Sequence, residues 1–303
     1  MKNIKDMNLK EFLSFFTTEC EDIRSNRTMI NYCSRYRVVF KDFFNKEDCD
    51  ISMNEILNLE PGVISKFVLK TLENKNVSSS TYKSVKATFN FLYEYLINNN
   101  LINENPFVNL ENSYNHESLP NVNIIKEEHF KSILKGASKT KYHIRKNADF
   151  NGARNYALLY VLFETGIKST DVCNIKLKDL NLEDKTINIL GVNKVLSKGC
   201  IKSLEEYLKQ RDINNVSSTY LFVTINNKNK TGFKAQTVEC IFKQSVKLGL
   251  GDKYEHYSVN DIRRTILYNA YKNGEDLETL MKLSNYKSKS SLNQYLKKID
   301  KAI

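Results

Sequence analysis

The sequence predicts a mainly α-helical, two-domain protein with a small β-hairpin, and three observations carry that expectation. Apolar residues recur at three- and four-residue spacing through the first hundred positions and again beyond residue 126, the signature of amphipathic helices. A stretch rich in Asn, Pro and Ser interrupts the pattern around residues 111–123. The segment Thr186-Ile187-Asn188-Ile189 alternates and is followed by Gly191, which reads as a hairpin set among helices.

Residues 1–110 form the first expected domain. Leu9, Phe12, Leu13 and Phe16 make one stripe; Met29, Tyr32, Cys33, Tyr36, Val39, Phe40 and Phe43 a second; Tyr82, Val85, Phe89, Leu92, Tyr93 and Leu96 a third. A bundle of four or five helices follows. Asn8, Ser25 or Asn26, Ser52 and Ser78 to Ser80 stand where N-caps belong, and Pro61 falls where a helix must begin or break. The linker, residues 111–123, lies within turn chemistry that runs from Asn98-Asn99-Asn100 through Pro106 and the polar run Asn109 to Ser118 to Pro120. The second domain, residues 124–303, opens with a helical region near Lys126-Glu127-Glu128 that continues through Arg154 to Phe163. It stops at Gly166, a natural left-handed cap.

Forty-six Lys and Arg against thirty-five Asp and Glu give a net charge of +11, so the expected partner is negative: nucleic acid first, an anionic membrane surface second. No run reaches the ~18 apolar residues that span a bilayer. No apolar segment follows Met1-Lys2-Asn3, and the protein is expected in the cytoplasm. The six cysteines, Cys20, Cys33, Cys49, Cys173, Cys200 and Cys240, lack any C-x-x-C pair and read as reduced apolar fillers.

The chemistry-bearing residues cluster in the second domain. Leu162-Phe163-Glu164-Thr165-Gly166-Ile167-Lys168 with Asp171, Asn260-Asp261-Ile262-Arg263-Arg264-Thr265, Leu283-Ser284-Asn285, and Tyr295 in a basic tail together resemble the boxes of the tyrosine recombinase, or phage integrase, family. The family's first box places an Arg after a Thr-Gly turn; here it is Lys168. Its hairpin carries a Lys, matched by Lys194 with Lys198 as a second choice. Its two His positions are Asn260 and Asn285, while Arg263 and Tyr295 are retained. Residues 1–110 fit the family's core-binding domain by position and helix count.

The resemblance implies a C-shaped clamp around double-stranded DNA and a catalytic set of Tyr295, Arg263, Lys168, Lys194, Asn260 and Asn285. In the family the tyrosine hydroxyl attacks the scissile phosphate to give a 3′-phosphotyrosine, two arginines hold the phosphate oxygens, and the lysine protonates the leaving 5′-oxygen. No cofactor or metal is implied. The resemblance also implies a dimer or tetramer on DNA, with room for a partner recombinase, and a C-terminal segment, Ile299 to Ile303, that docks on a neighbour.

The departures bear on the chemistry. Lys cannot reproduce the planar fork of Arg, although Lys168 precedes a helix start whose amides favour an anion. Asn donates hydrogen bonds but exchanges no proton near neutral pH. His256, four residues before Asn260, is a candidate substitute. Two readings stay open: a recombinase with an altered site, and a silent DNA-binding protein that keeps the clamp and serves as an accessory, replication or regulatory factor. Arg24, Arg27, Arg35, Arg37, Lys83 and Lys86 are candidate phosphate contacts of the first domain.

Overall fold

The computed structural model describes residues 3–60, 62–108, 123–139, 147–225, 232–254, 256–284, 286 and 288–302. The chain divides into two compact units, Met1–Leu119 and Pro120–Ile303. Pro61, most of the expected linker and Asn285 lie outside the described residues.

In the first unit a short 3-10 turn, Ile4–Asp6, leads to α1 (Leu9–Glu19), α2 (Asn26–Phe44), α3 (Met53–Leu57), α4 (Val63–Asn74) and α5 (Ser79–Asn98). The starts are set by the expected caps: Ser25 accepts from the Thr28 amide and Ser78 from the Thr81 amide. Asn8 and Ser52 each form a reciprocal box with a glutamate three residues on, Glu11 and Glu55. These two boxes are stitched together, since the Leu9 amide donates to Ile51 O (2.7 Å) and the Met53 amide to Met7 O (2.9 Å). Gly62, at φ 86°, caps α4 in a conformation that glycine adopts freely.

The core of this unit is aromatic. Phe12, Phe16, Tyr36, Phe40, Phe89 and Phe107 are fully buried, and the Tyr36 hydroxyl is satisfied by Thr88 O at 2.5 Å. Arg35 also spends its guanidinium here, donating to Ser84 Oγ (2.8 Å) and Thr88 Oγ1 (2.9 Å), while Arg37 pairs with Asp48 at 2.7 Å. Those two arginines thus have partners within the bundle.

The second unit is helical around one small sheet. Its elements are α6 (Glu127–Lys139), α7 (Ala148–Thr165), α8 (Ser169–Val172), β1 (Leu180–Asn181), β2 (Thr186–Ile189), β3 (Val192–Val195), α9 (Lys198–Ile213), α10 (Ala235–Leu250), α11 (Val259–Lys272), α12 (Leu277–Ser284) and α13 (Lys289–Ala302). Helix α7 is central, with Ala157, Leu158, Leu159, Val161 and Leu162 all fully buried. Arg154 is buried with it, donating to Asn155 Oδ1 and Val223 O and lying 4.9 Å from the Phe233 ring. Arg154 is thus a core strut.

Helices α6 and α10 cross closely because each has a glycine at the contact. A Cβ on Gly136 would stand 2.1 Å from Ser245 O, and one on Gly249 2.2 Å from Ser132 O. The sheet runs β1-β2-β3, antiparallel throughout, with Ile187 opposite Lys194. The expected hairpin is β2–β3, and the two-residue strand β1 adds to it.

A separate small core joins the last three helices through Leu267, Leu280, Leu292 and Leu296. Lys272 pairs with Asp300 (2.6 Å) and Lys289 with Glu278 (2.9 Å) across the same helices. Ile299, the first residue of the expected C-terminal docking segment, is 1 % exposed within α13, which runs through Ala302. Cys20, Cys33, Cys173 and Cys200 are buried as expected, whereas Cys49 and Cys240 are exposed. Among the described residues no helix is long and apolar enough to cross a membrane.

Candidate active site on the C-terminal helices

Helix α11 separates its two adjacent arginines onto different faces. Ser258 caps the helix in a reciprocal box with Asp261, whose carboxylate accepts from the Ser258 amide (2.7 Å) and hydroxyl (2.9 Å) and also pairs with Arg264. Asp261 is 1 % exposed, and this bonding holds Arg264 to the helix start. The next position along a helix turns by ~100°, and Arg263 points elsewhere, 8 % exposed, with its guanidinium 5.4 Å from the Tyr286 ring centroid.

Burial lowers the Arg263 pKa, and Tyr286, Tyr295 and Asp171 oppose that shift in order of size. Arginine remains charged throughout the working pH range. Its neighbours therefore identify the site: the phenol of Tyr295 on α13, the carboxylate of Asp171 on α8, and Tyr286 just beyond α12. The Tyr286 and Tyr295 rings are 5.7 Å apart at 33°.

Lys194 reaches this cluster from the sheet. Its ammonium donates to Leu283 O at 3.0 Å, with Thr165 O at 3.4 Å and Lys282 O at 3.5 Å. Burial lowers its pKa, and the nearby Arg263 charge lowers it further. Lys198, the second choice, is instead the first residue of α9.

Lys168 caps α8 through its carbonyl, which accepts from the Asp171 (3.0 Å) and Val172 (3.1 Å) amides, and its side chain is exposed. Helix α8 has four residues, so the macrodipole expected to help an anion there is small. Gly166 ends α7 at φ 61°, and a Cβ there would meet Ile266 of α11 at 3.3 Å. That close approach seats the Lys168–Asp171 turn beside the helix that carries Arg263. Asn260 is exposed on the first turn of α11.

His256 is exposed, its ring 4.7 Å from that of Tyr257. The histidine that does engage is His129, buried on α6 and 3.1 Å from the Tyr257 hydroxyl. The structure thus brings Arg263, Lys194 and Tyr295 together, leaves Lys168 and Asn260 at the surface, and adds Tyr286. Sequence reading passed over Tyr286, although it directly follows the third box.

A buried guanidinium, a lysine of lowered pKa and a phenol suit attack on a phosphodiester: the cations take up charge on the phosphate oxygens, and the lysine can release a proton to a leaving oxygen. The family described as the phage integrase family matches residues 124–301, and the chain belongs to it. Similar proteins include a tyrosine recombinase XerC of Staphylococcus carnosus, 27% identical over 235 residues, covering 75% of this chain and 74% of that one. A tyrosine recombinase XerD of Rickettsia bellii is 24% identical over 252 residues, covering 79% of each chain. Among solved structures, a lambda integrase tetramer bound to a Holliday junction aligns with TM-score 0.65 at 14% identity, covering 96% of this chain and 77% of that one. The Tn1549 transposon integrase in complex with a circular intermediate DNA aligns with TM-score 0.64 at 14% identity, covering 96% and 95%. These structures share its fold.

Proposed function

We propose that this protein is a site-specific recombinase that cuts and rejoins double-stranded DNA through a 3′-phosphotyrosine on Tyr295. The observation that carries the reading is the buried Arg263 guanidinium, 5.4 Å from the Tyr286 ring that packs on Tyr295 and close enough to feel the charge of Lys194.

The Tyr295 oxygen attacks phosphorus, the bond from phosphorus to the 5′-oxygen breaks, and Lys194 gives that oxygen its proton. The phenolic proton passes to water, since neither Asn260 nor Asn285 accepts one. A 5′-hydroxyl from another strand then attacks the phosphotyrosine and restores the phenol. Arg263 holds the phosphate oxygens, and Lys168, on its short turn, adds positive charge as the phosphate enters. Bond energy is conserved at each step, so no cofactor is required.

The names of the relatives and the DNA-bound dimers and tetramers of the integrase structures support an assembly of several copies on DNA. A partner recombinase sharing that assembly is part of the proposal, as is a DNA-binding role for the domain 1–110, with its linker 111–123, acting together with the catalytic domain 124–303.

The test is to recover the duplex that the protein selects from a randomised pool, nick it beside the cleavage point and look for a denaturation-resistant adduct. An adduct that vanishes in Tyr295→Phe is the expected result. The exposed Lys168 and Asn260 favour the second reading, a silent DNA-binding protein, and tight binding with no adduct would establish it.

A further inference from the structure

We infer that Glu164 is a positioning residue for Lys194, setting the proton donor against the leaving oxygen; this rests on the recombinase reading above. Both carboxylate oxygens of Glu164 engage Ser197: Oε2 accepts from the Ser197 amide at 2.8 Å and Oε1 accepts from the Ser197 hydroxyl, and the Cys200 thiol hydrogen-bonds to the same carboxylate. Ser197 in turn caps α9, accepting from the Cys200 amide at 3.2 Å.

The placement matters because β3 is an edge strand, hydrogen-bonded to β2 on one side. Val195 is 80% exposed, but the strand end is anchored on the β2 side, where Leu196 is buried and its amide donates to Lys185 O at 2.8 Å; on the open side the contact comes from α7. Lys194 is three residues before Ser197, and its ammonium lies 3.4 Å from the carbonyl of Thr165, the residue after Glu164. The last turn of α7 therefore grips the β3 segment twice, at the root through Glu164 and at the lysine tip through Thr165. A long lysine side chain on an edge strand has many rotamers open to it, and general-acid transfer falls steeply when the donor leaves hydrogen-bond reach of its target.

Glu164 spends its carboxylate on the Ser197 turn, so its effect on the reaction passes through Lys194 and carries the lysine's chemical signature. That signature is dependence on the leaving group. When sulfur replaces the bridging 5′-oxygen of the scissile phosphate, the departing thiolate needs no proton, and loss of the proton donor ceases to matter.

The experiment compares nicked duplexes of the pool-selected sequence, with bridging oxygen or bridging sulfur, in wild-type full-length protein and in Glu164→Ala, Glu164→Gln and Lys194→Ala. With oxygen, Glu164→Ala is expected to slow adduct formation about tenfold or more, part of the ~10² to ~10⁴ that general-acid help supplies. With sulfur, Glu164→Ala and Lys194→Ala should both return to within about threefold of wild type, by the leaving-group argument above. Glu164→Gln can accept from the Ser197 amide and donate to its hydroxyl, and should rescue most of the oxygen-substrate loss.

An equal loss on both substrates, with DNA affinity and melting temperature unchanged, would overturn the inference, as would no loss at all. Failure of sulfur to restore Lys194→Ala would remove the lysine as proton donor and the inference with it. No adduct from wild type on either duplex would sink the recombinase reading itself.

Discussion

Lys194 donates to the Leu283 carbonyl at 3.0 Å, which joins the edge strand of the sheet to the last turn of α12. The same lysine faces Arg263 and is held in a site that lowers its pKa. The lysine proposed as proton donor and the helix pair that carries the proposed nucleophile, Tyr295, are therefore in direct contact.

That contact gives the pH dependence a sign. Lys194 must be protonated to serve the leaving oxygen, and burial followed by the Arg263 charge lowers its pKa. Adduct formation is therefore full below the lowered pKa and falls as pH rises through it, earlier than a free lysine at ~10.4 would allow. A pH–rate profile on the oxygen substrate reads this descending limb, which should be absent on the sulfur substrate.

Tyr295→Phe removes one hydroxyl from a half-buried ring that packs against Tyr286. The adduct should disappear while DNA affinity stays within about twofold, because the ring contacts persist and phosphate charges dominate binding. A denaturing gel beside a filter-binding curve decides it; a large affinity loss would count against the nucleophile assignment.

Lys168→Arg should raise cleavage by about tenfold or more. The exposed ammonium offers one point charge where a guanidinium would offer a planar fork, and a missing oxyanion donor commonly costs ~10² to ~10³. No gain in single-turnover rate, with the fold intact, would mean that the site has been rebuilt around lysine.

Tyr286 separates ring packing from hydroxyl chemistry. Its ring lies between Arg263 at 5.4 Å and Tyr295 at 5.7 Å, so Tyr286→Ala should lower the adduct yield several-fold while Tyr286→Phe keeps most of it. Parallel loss in both variants would assign the effect to the hydroxyl instead.

Gly136→Ala tests the α6–α10 crossing. Its Cβ would meet the Ser245 carbonyl at 2.1 Å, a backbone atom that cannot rotate away, and overpacking of this kind costs ~1–3 kcal/mol. Thermal unfolding should register a drop of several degrees; an unchanged midpoint would mean that the helices separate freely.

The parts of this architecture legible from sequence are those with local causes. Asn8, Ser25, Ser52 and Ser78 cap helices because a side-chain oxygen next to free amides acts within three residues, and Gly166 stops α7 because its φ is 61°. The β2–β3 hairpin followed from alternation and a glycine.

What stayed hidden depends on partners distant in the chain. Arg35 looks like any surface cation until α5 brings Ser84 and Thr88 to it. Glu164 resembles a solvated helix-end charge until Ser197 folds back onto it, and Tyr286 acquires meaning between Arg263 and Tyr295. The exposed Cys49 and Cys240 departed from the filler expectation because thiol burial is decided by packing that composition does not encode.

The small leucine core of α11, α12 and α13 sets a hierarchy of opening. Four buried leucines and two surface ion pairs resist far less than the large core around α7, so this corner is the first to loosen by local fluctuation. When α12 and α13 detach, Tyr295 leaves Arg263 and the Lys194–Leu283 bond breaks in the same event. The proposed attacking group and one anchor of the proposed proton donor are thereby lost or regained together, while Lys194 keeps its contact with Thr165 O.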